Sequence, residues 1–321
     1  MRRSRAIQPQ PGDDAERAAA RGRAGRFSPS PATMQSAQRD EEEPTAEVGH
    51  NVRMRKVLIA AVGAAVAIVV AIVGAVAVDF GTSIYAEYRL SRAVREAADL
   101  GSDPFVAILG FPFIPQAMRD HYDELEIKAN TVGHPMVDKA TLEATMHSIG
   151  LADSSWLIRP DAKLPVGKLE SRIIIDSVHL GRYMGITDLM VEAPPEETND
   201  ATGGTTESGI SGSRGLVFTG TPKSAHFDKR VSVSVDLSID GADKTTLVFT
   251  PTRVLTGPDT ANQTVPDDKR AAVLNAFSKR LPDQKLPFGV APTSQGARGS
   301  DVIIEGITEG VTITLDAFRQ S

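Results

Sequence analysis

The pattern of apolar and polar residues divides the chain into three unlike parts. Residues 1–56 contain few apolar side chains, and Phe27 is their only aromatic residue. Residues 57–78 are Val, Ala, Ile and Leu, interrupted only by two glycines. Residues 79–321 alternate apolar and polar positions over long stretches. We therefore predict a disordered tail, a membrane-spanning helix and a folded domain.

The apolar segment 57–78 has the length of a transmembrane helix. As a helix, its 22 residues reach about 33 Å, enough to cross a hydrocarbon core of about 30 Å. Three basic residues directly precede it: Arg53, Arg55 and Lys56. Because basic residues that flank a span are retained in the cytoplasm, we predict a single-pass protein of the cell membrane. Its tail, 1–56, is cytoplasmic and its domain, 79–321, is extracytoplasmic.

The sequence does not decide whether this segment is cleaved or whether it self-associates. Ala75-Val76-Ala77 resembles a signal-peptide cleavage site, but the apolar run is longer than a signal-peptide core and a long tail precedes it. We therefore predict an uncleaved anchor. Small residues also recur at spacing four: Gly63, Ala67, Ala71 and Ala75. Such a stripe can mediate a weak homodimer, although ten of the 22 residues are Gly or Ala and the spacing could arise by chance.

A helical pattern follows the span from Ile84 to Leu100. Its apolar residues recur at helical spacing: Leu90, Ala93, Val94 and Ala97. Three arginines lie one turn apart on one side: Arg89, Arg92 and Arg95. They form either a solvated face or a surface that attracts anionic lipid head groups.

Strands dominate the rest of the chain. The clearest is Val231 to Ile239, in which Val, Leu and Ile alternate with Ser and Asp, so that one face is apolar. Further strands are predicted at Phe105–Leu109, Leu125–Ala129, Leu142–Met146, Leu169–Leu180, Thr245–Thr250, Val302–Glu305 and Val311–Leu315. One helix is predicted between Pro266 and Pro282, with an apolar stripe of Val273, Leu274, Phe277 and Leu281. The domain is therefore α+β and β-rich, with a mobile surface loop of Gly, Ser, Thr and Glu at 194–213.

Composition removes several classes of function. The 35 basic and 41 acidic residues give a net charge of −6, so we predict no nucleic-acid partner. Cysteine is absent, which excludes disulfides, thiolate metal sites and a cysteine nucleophile. The chain contains no phosphate-binding loop, zinc-binding HExxH helix or dinucleotide-binding GxGxxG motif. We predict no catalytic residue, no metal and no cofactor. Glu124 and Glu126, the carboxylates considered as a catalytic pair, fit the polar face of a strand.

The most unusual local sequence is Leu109-Gly110-Phe111-Pro112-Phe113-Ile114-Pro115-Gln116. Its prolines exclude a central strand, and its glycine permits a sharp bend. Leu286-Pro287-Phe288-Gly289-Val290 repeats this chemistry late in the chain. The phenylalanines of both segments either fill corners of the core or line the rim of an apolar cavity.

These segments carry a family resemblance. Residues 110–116, followed by His121-Tyr122-Asp123-Glu124-Leu125-Glu126-Ile127, resemble the "GFPFLTQ…G-Y-D-x-V-x-V" block of the LmeA-like phospholipid-binding family of actinobacterial envelope proteins. Leu281-Pro282 with 286–290 is similar to the "LP…LPFGL" element of that family. The resemblance covers about residues 80–316. Ile114-Pro115 stands where Leu-Thr is usual, and Asp120-His121 stands where a Gly commonly precedes the Tyr.

The resemblance implies a fold like that of the tubular lipid-binding proteins, in which a curved antiparallel sheet wraps a helix and encloses an apolar groove. It also implies phospholipid ligands, including phosphatidylinositols, and a role in mannan-lipid elongation. We therefore predict a membrane-anchored phospholipid-binding protein that acts in envelope lipid or lipoglycan assembly and is not an enzyme. The alternatives are a structural envelope scaffold without ligand and an enzyme on lipid-linked glycans. The predicted lipid contacts are apolar: Leu109, Phe111, Phe113, Ile114, Phe288, Val231, Val233, Val235 and Leu237.

Overall fold

The computed structural model describes residues 47–151, 155–194 and 215–319. Most of the predicted tail and nearly all of the predicted loop at 194–213 therefore lie outside the described residues. By its internal contacts the chain divides into two units, Met1–Val62 and Gly63–Ser321. The first described element is one long helix, α1, from Glu47 to Ala97. It is the single candidate membrane span in the described part of the chain, with a mean hydropathy of 2.9 in its most apolar window.

Strands form most of the remaining structure. The described residues contain β1 (Phe105–Leu109), β2 (His121–His134), β3 (Asp138–Gly150), β4 (Lys163–Asp176), β5 (Met190–Glu192), β6 (Gly215–Gly220), β7 (Val231–Asp240), β8 (Thr246–Leu255), β9 (Lys279–Leu281), β10 (Ser294–Arg298) and β11 (Asp301–Thr314). The further helices are α2 (Phe113–Met118), α3 (Ser177–Met184) and α4 (Asp267–Ala276), with 3₁₀ turns at η1 (Lys223–Ala225), η2 (Pro287–Gly289) and η3 (Leu315–Phe318). The predicted α+β, strand-rich class is confirmed.

The strands form two antiparallel sheets rather than one. The six-stranded sheet has the order β1-β2-β3-β4-β11-β10, and the five-stranded sheet has the order β5-β6-β7-β8-β9. Most strands that neighbour each other in the sheets are also consecutive in the chain. The exception is β11, the last strand of the chain, which pairs with β4. The family resemblance implied a single long sheet, and the second sheet is a difference from that expectation.

Both sheets contribute to one hydrophobic core. The long strand predicted from alternation is β7, and four of its five apolar side chains are at most 1% exposed: Val231, Val233, Val235 and Leu237. Side chains from β4, such as Ile173 and Ile175, belong to the same core from the six-stranded sheet, and Leu90 and Val94 belong to it from the last turns of α1. The helical pattern from Ile84 onwards is therefore confirmed as the part of α1 that packs on the domain.

The predicted helix between Pro266 and Pro282 is shorter than expected. α4 ends at Ala276, and β9 begins three residues later. Leu281, which was assigned to the apolar stripe of the helix, pairs with Leu247 across β8 and β9, and both side chains are fully buried. Burial in a sheet edge here overrides the helical spacing, because the sheet offers Leu281 both a backbone partner and apolar cover.

A buried histidine closes the β2–β3 hairpin. His134 is 4% exposed, and its Nδ1 accepts hydrogen bonds from the backbone N–H groups of Met136 and Val137 at 3.2 and 3.3 Å. Its Nε2 lies 3.0 Å from the side-chain nitrogen of Gln284. Burial disfavours the charged imidazolium and lowers the pKa of His134, against an opposing attraction from Asp283.

We expect the domain to lose stability as the pH falls below about 6.5, the ordinary pKa of histidine. In this window the unfolded chain binds a proton at position 134 that the folded chain does not bind, so the free energy of unfolding rises with pH. Urea unfolding of the detergent-solubilised protein at several pH values measures this slope. His134→Gln should flatten the slope, whereas His121→Gln, at a partly exposed position, should retain it. An unchanged slope in His134→Gln would assign the pH dependence to other groups.

Candidate functional site

The motif between β1 and β2 places its two phenylalanines in opposite environments. Phe111 is 63% exposed, and its ring stacks on Phe80 of α1 with 5.8 Å between centroids. Phe113 is 2% exposed, stacks on Tyr122 at 5.6 Å and meets Trp156 edge-on at 6.3 Å. One aromatic side chain of the motif therefore lies on the surface and the other lies in the core.

Polar contacts explain why the chain takes this path. Gly110 has a φ of +104°, and a Cβ at this position would lie 2.6 Å from the side chain of Gln116. Gln116 is buried and accepts a hydrogen bond from the backbone of Asp123 at 2.9 Å. The carboxylate of Asp79 on α1 accepts hydrogen bonds from the first two amides of α2, at 2.8 Å each. These amides would otherwise lack partners at the start of a helix, so Asp79 fixes the motif to α1.

Two further contacts attach α1 to the domain beyond Asp79. Glu87 accepts a hydrogen bond from the backbone of Ile108 in β1 at 3.0 Å. Ser91 donates to the carbonyl of Pro104 at 2.6 Å. The helix is thus bonded to the domain at three places along its length.

An arginine-rich cleft lies beside this part of α1. It has a volume of about 630 Å³ and is lined on one side by the helix and on the other by the segment 155–160. The lining side chains of α1 include two tyrosine–arginine pairs at spacing four: Tyr85 with Arg89, and Tyr88 with Arg92. We refer to this feature as the arginine cleft.

The tyrosines hold the two central arginines in place. Arg92 donates to the hydroxyl of Tyr88 at 2.9 Å and lies over its ring at 5.6 Å from the centroid. Arg89 donates more weakly to Tyr85, at 3.4 Å. Arg95, the third arginine of the predicted stripe, pairs with Asp103 at 3.2 Å. Glu96 also lines the cleft. Within the described ranges, however, neither Arg89 nor Arg92 forms an ion pair with a carboxylate within 4 Å, so both guanidinium groups can still meet an anion.

The late motif lies in a different place. Phe288 has a φ of +61°, is partly buried and contacts Phe318 at 5.6 Å between ring centroids. It lines two cavities of about 360 and 400 Å³. The first of these is lined by apolar residues of β11 and η3, among them Ile307, Val311 and Ile313. No ring contact described in the structure joins Phe288 to Phe111.

The remaining predicted lipid contacts are distributed between the core and the surface. The four side chains of β7 lie within the packed core, and none of the clefts described above is lined by them. Ile114 is partly buried and packs on the same core, whereas Leu109 is 38% exposed at the end of β1. The structure thus separates the predicted set into core residues and surface residues, and the lipid contacts themselves stay a prediction.

The carboxylates considered for catalysis lie on a charged face of the six-stranded sheet. Glu124 is 3.8 Å from His147 on β3, and Glu126 is paired in register with Thr145. Burial by itself would raise the pKa of the neighbouring Glu170, but Lys168 and other cations outweigh it and lower that pKa. Within the described residues, no cluster of three or more His, Asp or Glu side chains could hold a metal ion. The arrangement is that of ion pairs on a sheet face.

Sequence reasoning identified the arginines of the cleft but missed its other wall. The tyrosines could have been found, because each precedes an arginine by four residues, which places both on one side of a helix. The segment 155–160 carries no local signal for this role. Its position depends on Trp156, whose carbonyl accepts a hydrogen bond from buried Tyr122.

Comparison with known proteins agrees with this architecture. A family model described as LmeA-like phospholipid-binding matches residues 77–307, more than two thirds of the chain. The matched region begins just before Asp79 and includes the motif, the arginine cleft and both sheets, apart from the last seven residues of β11. A search of curated proteins and a search of solved structures each gave no match. The chain therefore belongs to the LmeA-like phospholipid-binding family.

Proposed function

We propose that this protein is anchored in the cell membrane by a single helix and binds a phospholipid with its extracytoplasmic domain. The family match supports phospholipid as the ligand, and the apolar segment of α1 supports the anchor. The observation that carries the proposed headgroup site is the pair Arg89 and Arg92, which line the cleft together with Glu96 and form no ion pair within 4 Å among the described residues.

The chemistry of the arginine cleft suits a lipid phosphate. A guanidinium presents several N–H donors in a planar fork, which matches the oxygens of a phosphate. Contacts to Tyr85 and Tyr88 already restrict both arginines, so less side-chain entropy is lost when an anion binds. Phosphatidylinositol-type lipids, which carry net negative charge, fit such a site better than zwitterionic lipids.

The distance of the cleft from the end of the span favours binding of an individual lipid over general attraction of the domain to the membrane surface. Arg89 lies eleven residues beyond Val78, or about 16 Å along an upright helix. The headgroup layer extends only about 5–8 Å beyond the hydrocarbon core. A phosphate bound at Arg89 is thus drawn partly out of the bilayer, and its acyl chains need apolar cover. We propose that Phe111 and Leu109, both exposed, contribute to that cover.

The cellular role is proposed from the family and the predicted topology together. The three basic residues before the span support a cytoplasmic location for 1–56 and an extracytoplasmic location for 79–321. An anchored phospholipid-binding domain on that side would serve the assembly of envelope lipids or lipoglycans. External protease on intact spheroplasts would digest such a domain and spare a tag on the N-terminus.

We expect the double variant Arg89→Gln/Arg92→Gln to bind a fluorescent phosphatidylinositol at least about tenfold more weakly, since each lost charged hydrogen bond is worth about 1.5–3 kcal/mol. Fluorescence anisotropy of the detergent-solubilised protein measures the dissociation constant. Arg270→Gln on α4, a solvent-exposed arginine that pairs with Asp267, is the control and should leave binding unchanged. Unaltered binding by a double variant that melts like the wild type would place the headgroup elsewhere.

A structural scaffold without ligand is the second candidate function. It is favoured by one observation, the burial of Val231, Val233, Val235 and Leu237 of β7 in a shared core, which leaves these side chains no open groove. Lipid analysis of the purified protein separates the two candidates. Co-purified phospholipid, displaced by the fluorescent lipid, supports binding. A lipid-free protein that also fails to bind the fluorescent lipid supports the scaffold.

A further inference from the structure

Exposed apolar side chains occur on α1 just beyond the predicted membrane span and on the segment 109–118. They belong to α1, β1, the connection between β1 and α2, and α2, and are 38–81% exposed: Phe80, Leu109, Phe111 and Met118. Single exposed apolar residues are common on soluble domains. Here, however, two of the four form an aromatic stack at 5.8 Å, and both rings remain more than half exposed. We refer to the stacked pair, Phe80 and Phe111, as the aromatic edge.

The aromatic edge is fixed at the level of the end of the span. Phe80 lies two residues beyond Val78, or about 3 Å along the helix axis. Asp79, between them, holds the first amides of α2 at 2.8 Å, and the ring of Phe111 rests on Phe80. The loop therefore cannot rise away from the end of the span without breaking both contacts.

We propose that the aromatic edge is immersed in the outer leaflet, at the boundary between head groups and acyl chains. The proposal rests on the anchoring described under the proposed function. Its occupant is the bilayer, because the same helix that carries Phe80 supplies the apolar segment immediately before it. Phenylalanine side chains of interfacial segments bury at the boundary between head groups and acyl chains. Asp79 tolerates the low dielectric there because it is 6% exposed and both of its oxygens accept hydrogen bonds.

Immersion would orient the domain as well as hold it. Tyr85 and Arg89 lie about one and a half and two and a half turns beyond Phe80 along α1, so the edge would hold the arginine cleft at a fixed height above the leaflet.

Depth-dependent quenching of tryptophan fluorescence tests the proposal. Trp156 is the single tryptophan of the chain, and Trp156→Phe gives a silent background. Into it are introduced Phe111→Trp, Phe80→Trp and, as a surface control, Val178→Trp. Each full-length protein is reconstituted in vesicles of phosphatidylcholine and phosphatidylglycerol that contain lipids brominated near the start of the acyl chain.

The control position lies far from the edge and is comparably exposed. Leu109 is in register with Glu124, His147 and Lys168 across the sheet. β4 then continues for eight residues to Asp176, about 26 Å away, and Val178 follows in α3 with 53% exposure. An indole at this position should report bulk water.

We expect the indoles introduced at positions 111 and 80 to lose most of their emission to the brominated lipid, and the indole at position 178 to lose none. Ile68→Trp, at the middle of the span, reports the anchor separately, in vesicles whose lipids are brominated near the end of the acyl chain. Quenching at position 68 with none at positions 111 and 80 would overturn immersion of the edge and leave the proposed anchor standing. No quenching at position 68 would overturn the anchor, and the immersion with it.

Discussion

Replacing Arg172 with alanine is expected to lower the free energy of unfolding by about 3–5 kcal/mol, the usual cost of leaving a buried charge without its partner. Arg172 is 9% exposed, and its Nε donates to Glu305 at 2.6 Å. Glu305 is 1% exposed. The same guanidinium also pairs with Glu170 on its own strand. Alanine would therefore leave two carboxylates facing each other without the cation between them.

Urea unfolding of the variants measures this effect. Arg280→Ala is the matched control, because Arg280 makes an ion pair of similar length, 2.7 Å to Asp240, in solvent; we expect it to change stability little. The double variant Arg172→Met/Glu305→Gln removes the buried charge together with its partner and should recover part of the loss. If Arg172→Ala were no more destabilising than Arg280→Ala, the ion pairs of Arg172 with Glu170 and Glu305 would contribute nothing to the free energy of unfolding.

Truncation of Phe113 to alanine is expected to cost about 3–5 kcal/mol of stability, whereas the same change at Phe111 should cost within about 0.5 kcal/mol. Phe113 is enclosed by Tyr122 and Trp156, so its loss leaves a cavity. Phe111 has one ring neighbour, Phe80, and otherwise faces outward. Thermal melting of the two variants side by side measures the difference.

The two substitutions should affect lipid binding in the opposite order from stability. Phe111→Ala should melt near the wild type yet bind the fluorescent lipid more weakly, because an acyl chain loses a contact. Phe113→Ala, assayed at low temperature where it remains folded, should bind almost normally. If Phe111→Ala binds normally and Phe113→Ala does not, the lipid reaches the interior and the surface role of Phe111 is wrong.

Much of the fold follows from local pattern. The alternation in Val231–Ile239 gives β7 because one apolar face can be buried in a sheet, and the apolar run 57–78 gives part of the long helix α1. The end of α4 could not be predicted in this way. Leu281 suits a helix as well as a strand, and only the edge of β8, distant in sequence, decides between them.

The candidate site could be predicted only in part, again because local sequence does not determine contacts with distant residues. Two phenylalanines separated by one proline carry no local information about which ring turns inward. Asp79, 34 residues away from Phe113, decides this by binding the first amides of α2. The arginine stripe could be predicted from the sequence, but the opposite wall of the cleft, the segment 155–160, is positioned by tertiary packing.

The three bonded positions on α1 have a consequence for how the protein can search for its lipid. From Asp79 to Ser91 they extend over about 18 Å of continuous helix, with no flexible linker between span and domain. A protein on a long, flexible tether can sample a wide volume, whereas this domain, anchored as proposed, would keep a constant distance from its membrane. Its encounters with lipid would then be confined to two dimensions, and delivery to a second membrane would require that membrane, or another carrier, to come to it.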